Sequence, residues 1–145
     1  MKQFILVFSL AIGYSISQAQ ITVPKIDTKS ATTAAVKNFV KPPALNNVGS
    51  TTDGIVNLLS SKLLLPTVQK PKLSEAINGF LGNKKSFAGL ADTNPAAYLE
   101  KFNPLQKGLF GRMKGIMGSS TFSKFLALKP SGSNIAGNAL SHLFF

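Results

Sequence analysis

The chain has no cysteine in its 145 residues. Its stability therefore owes nothing to disulfides, thiolate chemistry is excluded, and a lipid-modified N-terminal Cys cannot anchor it. Histidine occurs once, at His142. One imidazole, no thiolate and five scattered carboxylates cannot assemble a metal site, so neither metal nor cofactor is expected. Acidic residues are scarce: Asp27, Asp53, Glu75, Asp92 and Glu100 stand against 16 Lys and Arg, and the formal charge is +11. From Lys101 to Phe145 there is no carboxylate side chain, while Lys101, Lys107, Arg112, Lys114, Lys124 and Lys129 are all basic. A field of this sign attracts polyanions.

Long apolar runs are also missing, with one exception. Phe4 to Ile12 (FILVFSLAI) is nearly unbroken, follows Lys2, and leads to Ser17-Gln18-Ala19. A positive start, a short apolar run and small residues before a cut are the pattern of a secretory signal cleaved after Ala19. The run is too short for a transmembrane helix, which needs about 20 apolar residues. Leu63-Leu64-Leu65 lies between Lys62 and Pro66. The mature chain is thus expected to be secreted or periplasmic, with no membrane span. Removal of Lys2 with the signal takes the charge from +11 to +10.

Residues 20–52 read as a flexible leader rich in Thr, Ser, Ala, Asn and Pro, with Pro42-Pro43 enforcing extended backbone. Residues 53–145 read as the helical domain, all-α: a small irregular bundle of about five or six short helices. Thr52 or Asp53 is expected to cap the first helix and Pro66 to stop it. Ile55, Val56, Leu58, Leu59, Leu63 and Leu65 cover about half its circumference at 100° per residue. A second helix is expected over Lys72–Leu90, with a break near Gly82-Asn83. Asn94-Pro95 and Asn103-Pro104 each pair a capping side chain with a proline at the first helical position. They predict two helices, Pro95–Phe102 and Pro104–Gly118. Ser119 or Ser120 caps a fifth ending before Pro130, and Ser133 caps a last one from Asn134 onward. No alternation at period two argues for a sheet.

The stretch Lys107–Gly118 (KGLFGRMKGIMG) concentrates the unusual chemistry. On a helical wheel Leu105, Leu109, Phe110, Met113, Ile116 and Met117 fall in an arc of about 140°. Gly108, Gly111, Gly115 and Gly118 fall opposite, in an arc of about 80°, with Lys107 and Lys114 on one border and Arg112 on the other. Glycine inside a helix costs about 1 kcal/mol relative to alanine. Such a stripe suits close approach by a backbone or a flat ligand, and Gly111-x-x-x-Gly115 is a spacing that permits tight contact. The flanking cations suit an anionic partner. The same pattern describes an amphipathic helix lying in a membrane interface, and the glycines could instead mark turns or face another helix of the chain.

Catalytic patterns are weak. Thr121-Phe122-Ser123-Lys124 places a hydroxyl three residues before a lysine, but companion motifs are missing. Gly108-Leu-Phe-Gly111 has the form of an RNA-clamping GxxG loop without its surrounding strands. Asp92 and Glu100 read as caps or solvated surface. The expected function is non-catalytic: binding of an anionic envelope surface, either lipid headgroups or acidic polysaccharide, through Lys107, Arg112, Lys114, Lys124 and Gly108, Gly111, Gly115 and Gly118. No nucleic-acid partner is expected. The alternatives are a membrane-disrupting cationic effector and a protein-binding accessory or inhibitor module that uses Phe144-Phe145 or the leader as a handle.

Overall fold

A computed structural model describes residues 36–145, so the signal of residues 1–19 and the first part of the leader, 20–35, lie outside the described residues. The described chain is all-helical, and no strand occurs among the described residues. Six α-helices follow in order: α1 (Val48–Leu63), α2 (Lys70–Phe87), α3 (Leu90–Thr93), α4 (Pro95–Met117), α5 (Ser119–Ala127) and α6 (Ser141–Phe144). Short 3-10 turns sit at Thr67–Gln69 and Gly132–Asn134.

The helix α1 begins inside the stretch assigned to the leader. Asn47, extended at φ −128°, accepts a hydrogen bond on its side chain from the Ser50 N–H at 3.0 Å, and so takes the capping role expected of Thr52 or Asp53. The Thr51 and Thr52 hydroxyls donate back to the Asn47 and Val48 carbonyls, which places both residues within the first turns. Phe39, Leu45 and Val48 pack against the core. The far end of α1 is unusual. Leu64 adopts the left-handed conformation, φ 52° and ψ 49°, while its N–H and that of Leu65 close on the Ser60 carbonyl. Glycine is the ordinary residue there, and for a residue with a Cβ the geometry costs about 1–2 kcal/mol.

No break occurs in α2 at Gly82-Asn83. Phe80, Leu81 and Lys84 are buried on either side of that pair, and packing overrides its low propensity. Helix α2 packs against both α1 and α4. A groove of about 210 Å³ lies between α2 and α4, and the ring pairs Phe80–Phe102 at 6.0 Å and Phe87–Tyr98 at 5.5 Å fix the two helices as antiparallel.

The two helices expected over 95–118 are one. Asn94 caps it, accepting from the Ala97 N–H at 3.1 Å, and Pro95 occupies the first position. Asn103-Pro104 starts nothing, because α4 runs straight through it. Tyr98, Phe102, Leu109, Met113 and Met117 form one continuous buried stripe across the proline. Gly118, at φ 80° and ψ 161°, ends α4 and precedes α5, which has no side-chain cap, in contrast to the cap expected from Ser119 or Ser120.

The last expected helix is replaced by a folded-back segment. Gly137 at φ 82° interrupts any helix from Asn134, and the Asn138 side chain then accepts from the Leu140 N–H at 2.9 Å. The Ser141 hydroxyl donates to the Ile135 carbonyl at 2.6 Å. Phe144 is buried with its ring 5.1 Å from Phe125 and 5.6 Å from Phe110, and Phe145 is half-buried under the Lys129 ammonium. Phe144 is therefore core, and the pair is not a free handle.

Candidate functional site

The wheel drawn for α4 agrees with its burial. Leu109, Met113 and Met117 are buried, while Lys107, Gly108, Gly111, Arg112, Lys114, Gly115 and Gly118 are exposed. The apolar arc is engaged with α2 and α5, so it is not free to lie in a bilayer interface while the domain is folded. Lys107 and Lys114 lie along one side of the glycines, two turns or about 10 Å apart, with Arg112 across from them. Lys124 is exposed on α5. All four cations lie in the stretch from Lys101 to Phe145, which has no Asp or Glu. The ion pair found among the described residues, Lys41 with Asp92, lies elsewhere and is more than half exposed.

The glycine stripe faces open space. A Cβ built at Gly108, Gly111, Gly115 or Gly118 meets nothing within 4 Å. No helix of the described chain uses the stripe for close approach, and Gly108, Gly111 and Gly115 mark no turns. Gly118 alone has a conformational reason, its positive φ. Substitution separates these roles. Gly108→Ala, Gly111→Ala and Gly115→Ala are each expected to raise stability by about 0.5–1 kcal/mol in denaturant unfolding. Gly118→Ala is expected to lower it by about 1–3 kcal/mol. A destabilising Gly111→Ala would show that the stripe has a packing role.

A second cluster was not anticipated. Lys84 is 1 % exposed, and its ammonium donates to the His142 carbonyl at 2.8 Å and to the Phe145 carbonyl, with the Phe102 ring 5.2 Å away. The Gln106 amide donates to the Leu143 carbonyl at 2.7 Å. These donors fasten α6 to α2 and α4. Burial pushes the Lys84 ammonium down to about 7. Burial, followed by the nearby Lys84 charge, pushes His142 down to about 4. Burial raises the Tyr98 phenol. Among the described residues the Tyr98 hydroxyl and His142 Nδ1 have no hydrogen-bond partner. The sequence did carry a signal for this cluster. Lys84 falls on the apolar arc of α2, four residues after Phe80 and seven after Ile77. Lysines placed there must either reach solvent along their stems or find acceptors inside.

Among the described residues no helix is long and apolar enough to cross a membrane, and no group of three or more His, Asp or Glu side chains could hold a metal ion. The chain is all-helical over its described residues, has no cysteine, and carries basic but no acidic side chains from Lys101 to Phe145. No family model matches the chain, and no match was found among the curated proteins or the solved structures compared with it.

Proposed function

We propose that this chain is an exported, non-catalytic protein that binds an anionic envelope surface, lipid headgroups or acidic glycan, through the solvent side of α4 together with Lys124. The observation that carries the reading is the joint exposure of Lys107, Arg112, Lys114 and Lys124 in a region with no acidic side chain from Lys101 to Phe145. Cations near an anionic surface contribute about 1 kcal/mol each. Their pull is screened over about 8 Å at physiological ionic strength. The open glycine stripe lets a flat, charged surface approach the helix backbone between the two cationic borders.

The test is sedimentation of the mature chain with anionic and neutral vesicles and retention on an acidic polysaccharide, at low and physiological salt. Binding to at least one anionic surface should fall steeply with salt. The triple variant Lys107→Gln, Arg112→Gln, Lys114→Gln should weaken that binding by about 100-fold, from three contributions of about 1 kcal/mol. Binding that ignores both salt and the triple substitution would rule the reading out. Dye leakage from anionic vesicles distinguishes a disrupting effector from a binder.

A further inference from the structure

The connection between α1 and α2 exposes apolar side chains without any return from packing. Leu64 is 86 % exposed while held in the left-handed conformation that glycine normally takes, and Val68 in the following 3-10 turn is 75 % exposed. Isolated apolar residues on a surface are ordinary. Two within five residues, one of them in a costly backbone state, are not. Lys62 precedes Leu64 by two residues, and Lys70 and Lys72 follow Val68 by two and four. No carboxylate lies between Asp53 and Glu75. The antiparallel pairing of α2 and α4, with Phe80 beside Phe102 and Phe87 beside Tyr98, puts the Lys114–Gly118 end of α4 at the same end of the bundle as this connection.

We propose that the α1–α2 connection is an insertion tip for an anionic lipid bilayer. Leu64 and Val68 enter the boundary between headgroups and acyl chains, and Lys62, Lys70 and Lys72 stay at the phosphate level. An apolar tip flanked in sequence by cations matches the layered chemistry of that surface, apolar below and negative above. An acidic polysaccharide offers the same negative charge but nothing in which two aliphatic side chains gain by burial. The inference rests on the anionic-surface reading and narrows it to lipid.

The test uses the mature chain, vesicles of phosphatidylglycerol and phosphatidylcholine, vesicles of phosphatidylcholine alone, and an acidic polysaccharide. Leu64→Gly removes the side chain and suits the backbone, so its melting temperature should rise rather than fall. Combined with Val68→Ser, it should weaken binding to the anionic vesicles at least tenfold and leave polysaccharide retention unchanged. The chain has no tryptophan, so Leu64→Trp gives a single fluorescence reporter. Its emission should shift to the blue with anionic vesicles and stay fixed with the polysaccharide. Wild-type affinity in the Leu64→Gly/Val68→Ser variant overturns the tip. So does an unshifted Leu64→Trp spectrum on bound vesicles, or a wild-type chain that binds polysaccharide alone. In each of these cases salt-sensitive binding that depends on Lys107, Arg112 and Lys114 would leave the anionic-surface reading standing. A wild-type chain that binds neither vesicles nor polysaccharide removes both.

Discussion

Phe125→Ala is expected to lower the free energy of unfolding by about 3–5 kcal/mol, the range for truncating a fully buried aromatic. The Phe125 ring is wholly buried, with the rings of Phe110, Phe122 and Phe144 at 5.4, 5.6 and 5.1 Å. Paired rings in such geometries add about 0.5–1.5 kcal/mol beyond burial. Helix α5 has only nine residues and no side-chain cap, so its own propensity cannot hold it. Phe125 fixes it to α4 and, through Phe144, to α6. Equilibrium denaturation measures the total loss. Amide exchange should show residues 119–127 and 141–144 losing protection together. A loss below about 1 kcal/mol would mean that the aromatic cluster is not the anchor of this end of the molecule.

The second large effect is on pH dependence. Lys84 has its ordinary value in the unfolded chain, 10.5, and is pushed down to about 7 by burial in the fold. Between those values the unfolded state holds a proton that the folded state has released. Stability therefore rises with pH from about 7 to 10.5, by at most about 1.4 kcal/mol per pH unit for one proton. Lys84→Met keeps the aliphatic stem, removes the titrating amine and should abolish that rise. It also strips the His142 and Phe145 carbonyls of their donor. Leaving a buried acceptor unpaired costs about 1–3 kcal/mol, partly offset by no longer burying a charge. Lys84→Ala, which removes the stem as well, should be the less stable of the two. On the acid side His142 moves from 6.5 to about 4. The unfolded chain takes up that proton first, so stability falls as pH drops from 6.5 towards 4, and His142→Asn should remove this share of the fall. Unfolding midpoints of wild type and the three variants from pH 4 to 10 decide the matter. A Lys84→Met curve parallel to wild type between pH 7 and 10 would contradict the assignment.

The parts of the fold legible in the sequence were those where one helix face carries all the large apolar groups. The stripe Ile55, Val56 and Leu59 in α1 and the stripe Leu109, Met113 and Met117 in α4 are buried as their spacing requires. Boundaries were less legible, because caps compete. Asn94-Pro95 and Asn103-Pro104 are chemically alike, yet only the first starts a helix. Proline inside a helix costs about 3 kcal/mol. Burying Phe102 on one side of Pro104 and Leu109 on the other contributes about 1.5–3 kcal/mol each, so continuity wins. At the C-terminal end, Gly137 and Asn138 provide a turn that a helical pattern with small residues at 136 and 139 concealed. For the candidate site, the exposure of Lys107, Arg112, Lys114 and the glycines followed from the wheel. The buried amine of Lys84 did not, since charge argued for solvent and only its register argued for the interior.

On the anionic surface proposed above, the part of α4 and α5 from Lys101 on, which has no acidic side chain, would also set how many molecules share it. Neighbouring copies would present like charge to each other with few acidic groups to offset it, and so would repel sideways even if each were drawn to that surface. Added salt weakens the hold of each copy and at the same time lets copies stand closer. Maximal coverage should accordingly pass through an optimum at intermediate ionic strength, and at low salt the protein should form a sparse, evenly spaced layer rather than clusters.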